Sequence, residues 1–426
     1  MFRQINLHED DRNYHRILWR DDTREAVKEY QLNTVTYGTG PATYLSVRVL
    51  KQLAIDEGDK YPKAANILQQ DFYVDDMLTG ADSQEEAEEI YIQITKLMAL
   101  GQMNIRKWTS NSMELMQKIP EESREKGIIQ IKEDETIKPL GIHWSPTRDE
   151  FQYTIKFSHD KQWIKRGILS KIASIFDPTG WLAPTILRAK INMQALWKEN
   201  IGWDEKPSQT FIKHWIEFCE DIINIQKIRI PRWTRYKPGA TIELHGFSDA
   251  SRLAYAACVY VRIIYKNRVT ISLIAAKTRV APIKGNITIP RMELCGAVLL
   301  ANLMKTTEEA LDMKISKKYA WCDSQITLAW IDKDPSTWQT YIANRVNKIH
   351  QCTPREIWNY IASDENPADI ASRGITADAL VGCKLWWRGP RWLRHDEEEW
   401  PVNNQDEALL ELEKTMMKAN NSPFAN

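Results

Sequence analysis

The 426-residue sequence contains no CxxC pair, and its six cysteines (Cys219, Cys258, Cys295, Cys322, Cys352, Cys383) have no His at zinc-ligand spacing beside them. That argues against a structural zinc module or a disulfide framework and favours free thiols inside a cell. No run approaches the roughly 18 apolar residues of a membrane span, and the first residues, with Arg3, Asp10 and Asp11, lack a signal-peptide core. A soluble, intracellular, unsecreted chain without membrane contact is expected. A charge excess is missing too. Lys and Arg number 57 and Asp and Glu 57, so no global positive field exists for coating nucleic acid. Charge is local instead: residues 156–236 hold 14 Lys/Arg against 8 Asp/Glu, and residues 376–426 hold 6 against 9. No internal repeat is present, and the length suffices for several domains with their own cores.

What is present reads as alternating elements. "HRILWR" (15–20), "NTVTYG" (33–38) and "MNIRKW" (103–108) predict strands, and "ATYLSVRVLKQLAIDE" (42–57) has helical spacing. "FYVDDMLTG" (72–80) predicts two short strands around an acidic turn, followed by a helix that starts at Asp82 or Ser83 and ends at Gly101. Residues 161–230 are mostly helical, broken at "DPTGWLAP" (177–184). After Pro238-Gly239 the period changes to two. Three strands, a helix over 291–310, a strand at 317–322, a helix from 324, a strand at 355–361 and a helix from 366 then predict an α/β layer. The tail after 376, with Trp386, Trp387, Trp392 and Trp400, reads as a linker with aromatic anchors, and 406–420 as a short acidic helix.

Within the α/β layer four acids stand at element ends. Asp249 ends the first strand, Glu293 lies in the first turn of a helix, Asp323 follows the fourth strand, and Asp369 begins the last helix. Singly, each would be a solvated surface acid. Together at one sheet edge they would repel unless a cation neutralised them. Hard oxygen ligands suit Mg²⁺ or Mn²⁺, and four carboxylates can hold two ions suited to in-line displacement at phosphorus.

The order D, E, D, D on this element succession, with "CDSQ" and "NPADIASRG", resembles the ribonuclease H domain of retroelements. The resemblance implies cleavage of RNA in RNA–DNA hybrids, with metal ligands Asp249, Glu293, Asp323 and Asp369. Ser324, Gln325 and Asn366 would lie on the nucleic-acid side, Asn366 also orienting the last acid. One departure is visible: "WNYIASDENPAD" carries no His in the loop where many members have one.

"MFRQINLHEDDRNYHRILWR", "FYVDDMLTGADS", "MNIRKWTSNS" and "KPLGIHW" occur in the order of a retroelement polymerase palm, particularly that of the Bel/Pao group. By that resemblance Asp75 and Asp76 are catalytic metal ligands of the polymerase. The family's first catalytic Asp lies upstream of "MFRQI", so the palm is expected to be truncated and unable to synthesise DNA alone. The expected architecture is α/β and α+β multidomain: a truncated reverse-transcriptase palm (1–157), a helical connection (158–236), a ribonuclease H-like mixed-sheet domain (237–376) and a C-terminal linker (377–426).

The connection resembles the segment sometimes described as a pao-type peptidase. "DPTG" interposes a proline and has no second copy, whereas an aspartic dyad needs two loops. Its Lys165, Arg166 and Lys171 are expected to track phosphates instead. The implied partners are the RNA–DNA hybrid and a full-length reverse transcriptase subunit or other polyprotein parts, in cytoplasm or virus-like particles. Two alternatives stand beside the nuclease: a catalytically dead nucleic-acid-binding remnant, and the peptidase.

Overall fold

The computed structural model describes residues 1–125, 143–153, 163–173, 175, 177–283, 285, 287–311 and 313–401. The chain divides into two compact units, residues 1–139 with 145–149, and residues 140–144 with 150–426. Among the described residues no helix is long and apolar enough to cross a membrane.

The first unit opens with an antiparallel hairpin, β1 (Arg16–Trp19) and β2 (Lys28–Gln31), exposed throughout. Helix α1 (Ala42–Glu57) buries positions 42, 46, 50 and 54, a stripe at every fourth residue. It packs with α2 (Pro62–Gln70), which has Pro at its first turn where no N–H is needed. Strands β3 (Phe72–Tyr73) and β4 (Asp76–Met77) form the expected acidic hairpin. Helix α3 (Gln84–Leu100) starts where Ser83 Oγ accepts from Glu86 N at 3.2 Å, and it is followed by α4 (Met113–Lys118).

Two expected strands are absent. The strand expected at 33–38 makes single bridges only: Leu7 N donates to Asn33 O and Val35 N to Ile5 O, which buries Val35 without a ladder. At 103–108 the chain folds back on α3, because Met103 N donates to Met98 O, and left-handed φ angles at Gln102 and Lys107 break any extended run. The "KPLGIHW" segment falls mostly outside the described residues.

After the short strand β5 (His143–Ser145), the second unit pairs β6 (Glu150–Gln152) antiparallel with β7 (Arg229–Pro231). Between these lie α5 (Lys165–Ala173), α6 (Ala183–Lys198) and α7 (Gln209–Asp221). A mixed sheet follows, built of β8 (Thr241–Ala250), β9 (Ala254–Tyr265), β10 (Arg268–Val280), β11 (Lys317–Cys322) and β12 (Trp358–Tyr360). The order is β10-β9-β8-β11-β12, with β8, β9 and β10 antiparallel and β11 parallel to both β8 and β12. Helix α8 (Ile289–Leu311) crosses between β10 and β11. The single helix expected from 324 is two, α9 (Gln325–Asp332) and α10 (Thr340–Cys352), divided around Pro335. Helix α11 (Pro367–Arg373) is followed by α12 (Ala377–Gly382) and α13 (Lys384–Arg388).

Period-two alternation sorts the sheet into two cores. Ile242, Leu244, Val259 and Val261 face α8 and α10, meeting Leu300, Met304 and Val346. Phe247, Cys258 and Tyr260 face the other way, into a core shared with Trp181, with α6, with Trp215 of α7, and with Trp386 and Trp392. The helices expected to stand apart as a connection, and the tail expected to be a linker, thus supply one wall of the sheet's core. Trp386 Nε1 donates to Trp181 O at 2.8 Å, and Arg262 Nε to Leu393 O at 2.7 Å. The helix expected at 406–420 lies outside the described residues.

The "DPTGW" break has a structural task. Ala276 N donates to Thr179 O at 2.8 Å and Trp181 Nε1 to Leu273 O at 3.0 Å, so the segment covers the outer edge of β10 at its bulge. Asp177 is held by Tyr153 OH (3.0 Å) and Leu182 N (2.8 Å). Its burial raises its pKa to about 6.

Candidate active site

The parallel pairing of β8 with β11 matches Ser248 to Cys322, so the next residues, Asp249 and Asp323, fall side by side at one sheet end. Helix α8 reaches the same point because Gly296 lets it approach β8: a Cβ there would stand 3.1 Å from Asp249 O. One turn earlier, Glu293 accepts a hydrogen bond from the Ala250 backbone. Helix α11 brings Asp369 from the other face, capped by Asn366, whose Oδ1 accepts from Ala368 N at 3.0 Å and whose Nδ2 donates to Ser248 O at 2.9 Å. Four elements distant in sequence therefore aim carboxyls at one spot.

The electrostatics follow from burial and like charge. Asp249 is 3% and Glu293 7% exposed. Burial raises the Asp249 pKa to about 7, with repulsion from Asp323 and Asp369 adding to the shift. Burial raises Glu293 to about 10, again with Asp249, Asp323 and Asp369 contributing. Asp323 also shifts upward through burial, with repulsion from Asp369 adding to the shift. Ser372 Oγ donates to Asp249 Oδ2, Ser363 Oγ to Asp323 Oδ2 at 2.6 Å, and Arg373 Nε to Asp369 Oδ1 at 2.5 Å.

A divalent cation fits these donors. Glu293 Oε2 and Asp323 Oδ1 are buried with no hydrogen-bond partner, a costly arrangement that a cation between them would relieve. Glu293, Asp323 and Cys322 each offer a ligand atom, all within 4.8 Å of one another. Burial holds the Cys322 thiol protonated, leaving the hard oxygens as the donors suited to Mg²⁺ or Mn²⁺.

Residues 164–324 match the family model described as Pao retrotransposon-like RNaseH-like domain. That stretch is similar to the RNaseH-like domain of Pao retrotransposons. No curated protein matches the chain significantly. The matched stretch begins in α5's approach and runs through four strands of the sheet to Ser324, so helices and sheet fall within one family domain, as they share one core. An RNaseH-like domain carries nuclease activity and nucleic-acid binding in general terms, uses divalent metals, and is consistent with the mixed sheet described above.

The remaining expected residues divide. Ser324 caps α9, accepting from Thr327 N at 3.3 Å, and Gln325 follows it half-buried at the site's rim. Asn366 is fully buried, so it positions α11 and cannot face a nucleic acid. Lys165 is likewise withdrawn from phosphate binding: it is 7% exposed, donates to Ile201 O at 3.0 Å, and lies over the rings of Trp197 and Trp203. Arg166 makes a bidentate pair with Asp204 at 2.9 and 3.0 Å, and Lys171 sits over the Trp163 ring. These cations fasten the helical wall. In the first unit, Asp75 and Asp76 are exposed at the tip of the β3–β4 hairpin. Sequence reading overlooked Ser363, Ser372 and Arg373. Ser372 and Arg373 lie three and four residues after Asp369, a helical spacing that signals one face.

Proposed function

We propose that this domain cleaves the RNA strand of RNA–DNA hybrids by divalent-metal-dependent hydrolysis. The observation that carries the reading is the pair of buried, unpartnered carboxylate oxygens, Glu293 Oε2 and Asp323 Oδ1, inside a group of four acids from four elements. Asp249, Glu293, Asp323 and Asp369 would hold two ions. When bound, Mg²⁺ or Mn²⁺ supplies the activation of the attacking water and the neutralisation of charge on the leaving 3′ oxygen. The protein's part is preorganisation. Ser372 and Ser363 hydroxyls fix the orientation of Asp249 and Asp323, Asn366 ties α11 to β8, and Arg373 holds Asp369. No side chain acts as a covalent nucleophile. Discrimination of RNA from DNA would come from contacts to 2′-hydroxyls.

Hydrolysis of an end-labelled RNA–DNA hybrid with Mg²⁺ tests this. The parent should cut the RNA strand and leave the DNA–DNA duplex intact. Asp249→Asn and Asp323→Asn should each lower the rate by more than about a hundredfold, the scale of losing one preorganised charge in an active site. Cleavage that survives in both variants would assign the activity elsewhere and favour the binding-remnant alternative for these acids. The peptidase alternative has little support, since Asp177 is occupied in holding Tyr153 and Leu182.

A second reading concerns the first unit. Val74 adopts φ 61, rare for a β-branched residue, in the turn that presents Asp75 and Asp76. That strained acidic turn supports a polymerase palm, with both carboxylates directed at a primer end. Photocrosslinking of a primer terminus to residues 72–77 tests it, and a primer that crosslinks only elsewhere removes this reading.

A further inference from the structure

We propose that a cationic cleft beside the acid cluster binds the sugar–phosphate backbone of a nucleic acid, an inference that rests on the nuclease reading above. The cleft has a volume of about 470 Å³ and lies between the site end of β9 and β10, one face of α8, and α10. Its chemistry follows from strand period. Ala276 and Thr278 point toward α6, where Thr278 O and Oγ1 accept from Lys190 Nζ at 3.1 and 3.0 Å. Lys277 and Arg279 therefore project from the opposite face of the edge strand, into the cleft.

Val298 and Leu299 of α8 form an apolar floor, and Arg345 of α10 closes the far side. Arg345 is preset for this. Its Nη1 donates to Tyr341 O at 3.0 Å, and its guanidinium lies 3.5 Å from the centre of the Tyr341 ring. Arg291 stands over the same ring at 4.9 Å. Among the described residues none of those lining the cleft is acidic. Cations from two separate elements, gathered above an apolar floor without counter-charge, suit an anion that repeats along a chain better than a single small one.

The location identifies that chain. Cys295, in the cleft wall, lies two residues beyond Glu293 on α8, and Tyr255 pairs with Ala250, the neighbour of Asp249. A nucleic acid with one phosphodiester at the acids would thus lay neighbouring phosphates over Lys277, Arg279 and Arg345. Such contacts set register and carry no base preference.

The test uses the full chain carrying Asp249→Asn, so that bound hybrid is not consumed, and reads the anisotropy of a labelled RNA–DNA hybrid of about 20 base pairs at several salt concentrations. Adding Lys277→Gln with Arg279→Gln should weaken binding at least about tenfold at low salt and flatten the log–log salt dependence by about two, roughly one for each phosphate that is no longer neutralised. The charge-keeping pair Lys277→Arg with Arg279→Lys should retain both. Unchanged affinity and slope in the Gln variants would overturn the proposal. Failure of the Asp249→Asn chain to bind hybrid at all would do the same, as would displacement of the hybrid by poly-glutamate at equal charge, which would mark the cleft as an acidic-peptide surface. Failure of the nuclease reading shows separately, as hybrid cut by the Asp249→Asn chain on a gel.

Discussion

Side chains at the candidate site do two opposing things: Asp249, Glu293 and Asp323 repel one another, while Ser363 and Ser372 hold Asp323 and Asp249 in place and Asn366 ties α11 to β8. The acids were legible in the sequence because each sits at the end of a strongly patterned strand or helix. Their partners were not, since a serine in "ASDEN" or "IASRG" has no pattern that distinguishes a hydroxyl bonded to an acid from one in solvent. The cations Lys165 and Arg166 were misread for a related reason: composition counts charge but does not reveal that Trp197, Trp203 and Asp204 surround it. Glycine offers a sharper residue-scale test. Gly180 has φ 76 and a Cβ there would stand 1.8 Å from Ala276 O, a backbone atom that cannot swing away. Gly180→Ala should therefore cost more than about 2 kcal/mol in denaturant unfolding, through both strain and the clash. A loss within about 0.5 kcal/mol would mean that the 177–181 segment is not locked onto β10.

Among the elements, α1 over 42–57 and β11 over 317–322 have the bounds their patterns predict. Two runs of the same length as β11 failed, because in 33–38 and 103–108 tertiary hydrogen bonds decided the backbone. The tail's docking was also illegible. Four tryptophans without periodicity announce burial but not against what, and only the fold shows Trp386, Trp392 and Trp400 against the sheet, with His245, Tyr319 and Trp321 meeting Trp400 edge to face. Arg262 ties this layer down by donating to Leu393 O, His395 O and Glu243. Trp386 is fully buried. Trp386→Ala should cost about 3–5 kcal/mol, the usual range for emptying a large aromatic site. Unfolding followed by Trp fluorescence and by circular dichroism should shift together, since helices and sheet share the core. A variant that loosens only the tail, leaving the sheet's transition in place, would contradict that shared core.

Across the whole molecule the balanced charge conceals separation: a buried acidic cluster stands beside a cationic cleft on one unit. The cluster also makes stability depend on pH in a definite direction. Asp249 and Glu293 are raised in the folded state above the ordinary carboxyl range, so the folded chain holds protons that the unfolded chain has lost. Without metal, this cluster's contribution to stability falls as pH rises from about 4 toward 7, and a bound divalent ion offsets the loss. The same linkage gives the most direct measurement. Calorimetric titration of Mg²⁺ into the protein near pH 6.5, in buffers of different ionisation enthalpy, reads both binding and proton exchange. Binding accompanied by proton release, with both diminished in Glu293→Gln and Asp249→Asn, is the result expected of carboxyls that give up protons to share cations. Absence of Mg²⁺ binding, or binding with no proton release that is indifferent to these substitutions, would contradict it.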